Sequence, residues 1–172
     1  MKKLIGKFLK NQPKEKHCLL LIFILFFLFT LPFWVKAKIP FSSTYLVNDF
    51  VPWQYYYGFP VKNPAMPDVG SQIFPWRYLS IKALKDAEWP LWNSYNFSGT
   101  PLLANFQSAP FHPGNALFFL LPAVKAWSFL VLLPLLLSPL FTFWYLKEIK
   151  IPALTAMLGG LAFGFCGFIV CW

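Results

Sequence analysis

The chain has 172 residues, of which 58% are hydrophobic and only 12% are charged. Soluble domains carry about 25% charged residues, so part of this chain is expected to lie in lipid rather than to face water. The net charge of +9 does not indicate nucleic-acid binding, because the lysines concentrate at the start of the chain beside an apolar run. We therefore predict an all-α membrane protein whose partner is the lipid bilayer and not a nucleic acid.

The chain begins with a basic tail, residues 1–17, followed by an uncharged run at residues 18–35. That run predicts the first transmembrane helix, since a span needs about 20 apolar residues with a lower limit near 17. A cleaved signal peptide is the alternative, but its apolar core usually has about 7–15 residues and ends at small residues. Here the run ends in bulky Phe33 and Trp34 before Lys36, which favours an uncleaved span.

Two further apolar runs lie near the end of the sequence. Residues 126–146 predict a second span, although they include Pro134 and Pro139. Membrane bundles tolerate prolines because neighbouring groups satisfy the freed carbonyls. A short turn at residues 147–150 separates this run from a third, residues 151–172, which predicts a truncated third span. Because the sequence stops inside that run, we expect the chain to be an N-terminal fragment of a larger multi-span protein.

The lysine distribution predicts the topology. The tail and the 147–150 turn hold eight lysines in about twenty residues, whereas residues 36–125 hold six lysines and one arginine. Short basic segments stay on the cytoplasmic side, and long loops cross the membrane largely regardless of charge. We therefore predict a multi-pass protein of the cell membrane, with a cytoplasmic N-terminus and an extracytoplasmic loop at 36–125. Lys36 and Lys38 argue mildly against this orientation but are outnumbered.

Small residues recur every four positions in the third apolar run, at Ala156, Gly160 and Gly164. Small residues on one face allow another helix to approach closely. The alternative is that these glycines only reflect the general abundance of glycine in membrane helices.

The long loop is rich in proline and aromatic residues, which predicts a folded, partly helical cap rather than a disordered linker. Near residues 76–87, apolar side chains recur at helical spacing and charged residues occupy most of the remainder. This pattern is typical of an amphipathic helix lying in the membrane interface, and a helix packed on an ordinary protein core is the alternative. The apolar positions are Trp76, Leu79, Ala83, Leu84 and Ala87.

Asp68 lies just before this helix, and Gln72 follows it one turn later. An acid at this position could bind a metal ion or accept a proton from a substrate hydroxyl. The simpler alternative is that Asp68 caps a helical turn, because Asp is a good N-cap residue. Asp49 is a second candidate acid, and His112 is interpreted as a loop histidine.

Two segments carry a resemblance to a known family: PDVGSQIFPWR at 67–77 and EWPLWNSYNFSGTPLLANFQSAPFHPGN at 88–115. They resemble the first outer loop of the bacterial YfhO-like membrane proteins, a multi-span family grouped with the C-type glycosyltransferases. The resemblance covers roughly residues 40–172, with Ala87 where the family usually has Gly, Ser94 where Pro is common and His112 where Tyr is expected. The matching positions are Asp68, Gln72, Pro75, Pro90, Trp92, Asn93, Gly99, Pro101, Asn105 and Gln107.

The resemblance implies glycosyl transfer at the outer membrane face, from a polyprenyl-phosphate-linked sugar to a cell-surface polymer or lipid. Asp68 would then be the catalytic acid, acting as general base or holding a divalent metal ion, with Asp49 as the second candidate. Arg77 would hold the donor phosphate. The fragment alone is expected to be inactive, since the family has many more spans. The other substrate-binding candidates are Gln72, Trp92, Asn93, Asn105 and Gln107.

A non-enzymatic role is the alternative function. The chain would then be part of a transporter, or a structural membrane subunit whose loop covers a lipid or polymer path. A transporter is expected to carry ionisable groups at mid-membrane depth. The three apolar runs carry none, which favours the transferase over the transporter.

Overall fold

The computed structural model describes residues 13–41, 51–58 and 67–171, and these residues are mostly helical, as the sequence predicts. They divide into two compact units, which we call the helical unit (Met1–Lys38 and Val131–Trp172) and the loop unit (Ile39–Leu130). Among the candidate residues, Asp49 lies outside the described part of the chain.

The described part of the chain consists of helices and one short antiparallel hairpin. The α-helices are α1 (Glu15–Phe29), α2 (Leu31–Lys36), α3 (Val51–Tyr57), α4 (Phe74–Lys85), α5 (Leu117–Leu120), α6 (Ala123–Glu148), α7 (Ala153–Gly164) and α8 (Gly167–Cys171). The strands are β1 (Trp92–Asn93) and β2 (Thr100–Pro101). A π-helix (Val69–Ile73) and two 3₁₀ turns (Phe106–Ser108 and Pro113–Ala116) complete the described structure.

Helix α6 is the one helix of the described residues that is long and apolar enough to cross a membrane. It has 26 residues and includes the whole predicted second span. By contrast, the first and third predicted spans are divided between two helices each, so no single helix there has the required length. Helix α1, with 15 residues, extends about 22 Å, which is shorter than the hydrocarbon core of about 30 Å.

Thr30 separates helices α1 and α2 in the helical unit. Its backbone has a φ of −90° and a ψ of 7°, outside the helical region. Pro32, at the start of α2, has no N–H to donate to a carbonyl of the preceding helical turn. The Thr30 hydroxyl donates to the Phe26 carbonyl at 2.7 Å and accepts from the Trp34 indole N–H at 2.9 Å. The break is therefore stabilised by local hydrogen bonds, and the chain remains helical on both sides of it.

The core of the helical unit joins α1, α6 and α7. Its side chains are apolar and close-packed, as expected for helices that interact by van der Waals contact. The buried residues of the main cluster are Cys18, Ile22, Leu140, Phe143, Ala153, Ala156 and Met157.

Helix α7 approaches α6 closely through the small residues that the sequence singled out. A β-carbon built on Gly160 would lie 2.6 Å from the Pro139 carbonyl oxygen, and one on Gly164 would lie 2.4 Å from the Pro139 Cδ. Ala156 and both glycines are buried. The four-residue spacing therefore marks the face along which α7 packs, rather than glycine abundance alone.

An ion pair joins two helix ends in the helical unit. The Lys147 Nζ, near the end of α6, lies 3.1 Å from the Glu15 Oε1, at the start of α1. The same ammonium donates to the Ile151 carbonyl at 3.3 Å. The start of α1 and the end of α6 therefore lie at the same end of this unit, and the two helices run in opposite directions.

In the loop unit, helix α4 covers most of the segment predicted to be an amphipathic helix. It ends through backbone hydrogen bonds from the Ala87 N–H to the Leu84 carbonyl and from the Glu88 N–H to the Ala83 carbonyl. Ala87 has a φ of +60°, a left-handed conformation that glycine adopts with less strain.

Replacing Gly164 tests the contact between α6 and α7. We expect Gly164→Ala to lower the free energy of unfolding by about 1–3 kcal/mol, because the added methyl overlaps the Pro139 ring. The measurement is detergent- or heat-induced unfolding of the full chain. Gly167→Ala is the matched control, since nothing lies within 4 Å of its β-carbon position. Equal stability of the two variants would contradict this packing.

Candidate functional site

Asp68 directly precedes the π-helix. The residue is itself helical, with φ −65° and ψ −26°, and its side chain makes no N-cap hydrogen bond. The structure therefore gives no support to the alternative that the side chain of Asp68 serves as a helix cap. The carboxylate is exposed, and no ion-pair partner for it occurs in the described ranges.

The π-helix Val69–Ile73 contains Gln72 and continues directly into helix α4. π-Helical segments are rare and frequently occur at functional sites. The wider turn leaves both Asp68 and Gln72 exposed, while Gly70 is buried. Two of the candidate polar groups are thus accessible on the same continuous helical run.

Arg77 lies in the first turn of α4 and faces an aromatic cluster. Its guanidinium carbon is 5.3 Å from the centroid of the Trp127 ring, which is a cation–π geometry. Burial lowers the pKa of the Arg77 guanidinium from its ordinary value. The Arg77 Nε is buried and has no hydrogen-bond partner among the described residues, while the side chain as a whole remains partly exposed.

Trp127 lies at the centre of that cluster. Its ring contacts Phe74 and Phe41 edge-on, with centroids 5.5 and 5.9 Å away. The indole Nε1 is buried and, like the Arg77 Nε, has no partner. The sequence did not indicate Trp127 as a residue of the candidate site. Trp127 and Arg77 are fifty positions apart, and their side chains come into contact only in the folded chain.

The hairpin β1–β2 positions Trp92 and Asn93. Trp92 pairs with Pro101, and Asn93 pairs with Thr100. The Asn93 side chain is buried and accepts a hydrogen bond from the Tyr95 N–H at 3.0 Å. Its Nδ2 has no partner. Asn93 therefore shapes the turn after β1, and Trp92, which is exposed, remains available to a ligand.

The turn between the strands holds three consecutive residues with positive φ, namely Phe97, Ser98 and Gly99. Gly99, at φ +118°, lies against the Trp92 indole, and a β-carbon there would be 2.4 Å from the Trp92 Nε1. The tip of the hairpin carries Phe97 with 93% of its surface exposed. Gly99 is thus needed both for its backbone conformation and for the close approach of Trp92.

Asn105 and Gln107 belong to the first 3₁₀ turn. The Asn105 side chain accepts a hydrogen bond from the Gln107 N–H at 3.0 Å and so caps this turn. The buried Ser108 hydroxyl donates to the carbonyls of Leu102 and Asn105 at 2.9 and 2.7 Å. Asn105 therefore has a structural role, whereas Gln107 is exposed. This turn packs against helix α4, which also carries Arg77.

His112 and Asn115 organise the second 3₁₀ turn. The His112 Nδ1 accepts from the Gly114 N–H at 3.1 Å, and the Asn115 amide donates to the Ala109 carbonyl. Asn115 is buried, and its Oδ1 has no partner. His112 is thus a loop histidine that caps a turn, in agreement with its interpretation from the sequence.

The candidates consequently separate into two classes. Asn93 and Asn105 hold turns, while Asp68, Gln72, Trp92 and Gln107 are exposed. In the described ranges, no group of three or more His, Cys, Asp or Glu side chains has a geometry that could hold a metal ion. A divalent ion at this site would need ligands in addition to Asp68.

Comparisons with known proteins add no relative. No protein-family model, curated protein sequence or solved structure matches this chain.

Replacing Gly99 tests the hairpin that presents Trp92. We expect Gly99→Ala to destabilise the protein by about 1–3 kcal/mol, because a strained φ and a collision with the Trp92 ring coincide. Gly58→Ala is the control, since Gly58 also has a positive φ, +68°, but no atom lies within 4 Å of its β-carbon position. Thermal unfolding of the full chain measures both. A cost for Gly99→Ala no larger than that for Gly58→Ala would refute the close approach.

Proposed function

We propose that this chain crosses the cell membrane several times. Residues 18–35, 126–146 and 151–172 form its three spans, with the N-terminus and the 147–150 turn in the cytoplasm and the loop unit outside. The apolar length of α6 and the surface of α1 support membrane insertion, and the lysine distribution supports the orientation.

The surface of helix α1 supports insertion because it is apolar on every side from Cys18 onward. Cys18, Ile22 and Phe26 are buried against the rest of the helical unit. The opposite side exposes Leu20 and Leu28, each with more than half of its surface accessible. A helix that packs on a soluble core carries polar residues on that side, whereas a helix in lipid does not.

The ion pair between Glu15 and Lys147 supports a common side for the tail and the turn. Both charges lie at the end of the helical unit where α1 begins and α6 ends. The lysine-rich tail and the 147–150 turn adjoin that end in the sequence. Positively charged segments beside spans are retained in the cytoplasm, so both segments are assigned there.

Single-cysteine labelling tests this topology in a background without Cys18, Cys166 and Cys171. We expect an impermeant thiol reagent added to intact cells to label Ser98→Cys, because Ser98 is exposed in the loop unit. Glu148→Cys is expected to react only after the cells are opened. The reverse pattern, with Glu148→Cys labelled from outside and Ser98→Cys protected, would overturn the orientation.

We further propose that this protein transfers a sugar from a polyprenyl-phosphate donor at the outer membrane face, with Asp68 as general base. The observation that carries this proposal is the state of the Asp68 carboxylate, which is exposed and is used neither for capping nor for an ion pair with a described residue. The π-helix at Val69–Ile73 and the resemblance to YfhO-like proteins add support.

In this reaction, the Asp68 carboxylate accepts the proton of the acceptor hydroxyl as its oxygen attacks the anomeric carbon of the sugar. The bond from that carbon to the phosphate oxygen breaks, and the polyprenyl phosphate leaves with the bonding electron pair. Trp92, which is exposed on the hairpin, provides an apolar face for a sugar ring. Gln72 and Gln107 supply accessible amide groups that can bind sugar hydroxyls.

Replacing Asp68 separates catalysis from structure. We expect Asp68→Asn to lower sugar transfer by about 100-fold or more in the whole protein, because the amide cannot accept the proton. Expression and insertion are expected to be unchanged, since the side chain makes no capping hydrogen bond. Transfer is measured with a radiolabelled lipid-linked sugar.

Asp86→Asn is the matched control for this experiment. Asp86 is an exposed acid at the other end of the same helical run, so its replacement removes one charge without touching Asp68. Full activity of Asp68→Asn would end the proposed role of Asp68. It would shift the role of base to Asp49, the second candidate acid. An absence of sugar transfer by the unaltered protein would instead favour the non-enzymatic alternative, in which the loop unit covers a lipid or polymer path.

A further inference from the structure

Two lysines bracket the apolar part of helix α6 and so define its depth in a bilayer. No charged residue lies between Lys125, in the first turn of the helix, and Lys147, in its last turn. At about 1.5 Å per residue, the segment 126–146 extends about 31 Å, and the hydrocarbon core of a bilayer is about 30 Å thick. In the proposed topology, Lys125 therefore lies at the outer boundary of the hydrocarbon core, at the depth of the lipid headgroups.

Helix α5, which directly precedes α6, exposes apolar side chains close to this boundary. Leu120 has 79% of its surface exposed, and Phe119 and Val124 are each nearly half exposed. Phe118, in the same short helix, is buried in the loop unit. Only two residues separate the end of α5 from the start of α6, so the exposed side chains lie near the headgroup layer. Exposed apolar patches of this kind mark surfaces that contact lipid or another protein.

The apolar stripe of helix α4 is less open to lipid than helix α5. Ile81 of this helix is buried, and the first 3₁₀ turn packs against the helix. The loop unit itself therefore covers much of the stripe that the sequence indicates as a membrane contact. Its half-buried positions are Trp76, Leu79, Ala83 and Leu84.

Exposed lysines accompany the apolar side chains of α5. The Lys85 Nζ, at the end of α4, lies 5.8 Å from the centroid of the Phe119 ring, and Lys125 is exposed in the first turn of α6. Asp86 and Glu88 also lie at the end of α4, but neither forms an ion pair with a described lysine. Ammonium groups beside an apolar surface at headgroup depth attract anionic lipids.

We propose that α5 and the first turn of α6 dock the loop unit on the outer surface of the bilayer. Phe119, Leu120 and Val124 enter the boundary between the headgroups and the acyl chains. The ammonium groups of Lys85 and Lys125 contact phosphate oxygens of anionic phospholipids. The inference rests on the proposed membrane topology but not on sugar transfer, and it assigns the membrane contact of the loop unit to α5 rather than to α4.

Fluorescence quenching of the full chain in lipid vesicles tests the docking. A bimane fluorophore is attached to one introduced cysteine at a time, in the background without the native cysteines. The vesicles contain phosphatidylcholine and phosphatidylglycerol, with a spin-labelled lipid in both leaflets. The spin label lies either near the headgroup or near the end of the acyl chain. Because both leaflets carry the quencher, the result does not depend on the orientation of the protein.

Three labelled positions report on α5, α4 and the interior of the bilayer. We expect the label at Leu120→Cys to be quenched by the shallow spin label about 2-fold or more as strongly as the label at Tyr78→Cys, because an interfacial segment enters the boundary by about 5–10 Å. Tyr78 is the matched position, since it is exposed on α4. Leu133→Cys is the insertion control, because Leu133 is exposed about 12 Å along α6 from Lys125. Its label is expected to be quenched by the deep spin label.

The preference for anionic lipid is measured with the label at Leu120→Cys. We expect spin-labelled phosphatidylglycerol to quench it about 2- to 5-fold more strongly than spin-labelled phosphatidylcholine, because lysines at the surface attract anionic lipid. Replacing Lys85 and Lys125 together by glutamine is expected to remove most of this preference. Lys150→Gln is the matched control, since Lys150 is an exposed charge beyond the other end of α6.

Several outcomes would overturn the proposal. Quenching of the Leu133→Cys label without quenching of the Leu120→Cys label would leave the insertion of α6 intact and remove the docking. Quenching at Tyr78→Cys as strong as that at Leu120→Cys would assign the contact to α4. A loss of lipid preference in Lys150→Gln as large as that in the double lysine variant would show general attraction only. An unquenched Leu133→Cys label would contradict the membrane topology and the docking together.

Circular dichroism of each labelled variant checks that helicity is retained. If Leu120→Cys does not fold, Val124→Cys takes its place, because Val124 belongs to the same exposed surface. The same shallow quenching is then expected at Val124→Cys, and its absence would count against the docking in the same way.

Discussion

Pro139 lies where helices α6 and α7 come closest, and the packing of the helical unit depends on that contact. A proline inside a helix leaves one carbonyl of the preceding turn without its usual donor. Helix α7 meets this region with Gly160 and Gly164, which have no side chains to hold it away. The main buried cluster of this unit joins α1, α6 and α7, from Cys18 to Met157. Proline on one helix and glycine on its neighbour are thus parts of the same interface.

The polar and apolar parts of the helical unit are segregated along its length. The charges of Glu15 and Lys147 are at one end, and the outward faces between the ends are apolar. Two ions at the edge of an apolar unit stay partly hydrated, so their pairing adds little free energy by itself. The ion pair instead shows that the start of α1 and the end of α6 lie beside each other. This arrangement and the lysine distribution together support a cytoplasmic position for the basic tail and the 147–150 turn.

The loop unit uses most of its polar side chains to organise short turns. Asn93, Asn105, Ser108 and His112 each bond to a backbone group within a few residues. Short polar side chains hydrogen-bond to nearby backbone groups in place of the hydrogen bonds of a helix or a sheet. This explains why turns make up much of the loop unit. The exposed Asp68 carboxylate makes no capping hydrogen bond and no ion pair with the described residues, so it remains accessible to a ligand.

The sequence by itself determined the helical class, the long apolar helix α6 and the small-residue face of α7, because each follows from local periodicity and residue size. It also located helix α4, whose charged and apolar positions alternate at helical spacing. Local patterns did not predict the break at Thr30, since the hydroxyl and indole hydrogen bonds there exist only in the folded chain. They left two roles open for Asp68, a catalytic acid or a helix cap, and the folded chain shows no capping hydrogen bond from its side chain. Only the tertiary structure brought Arg77 onto Trp127, because that contact joins residues fifty positions apart and no spacing rule encodes it.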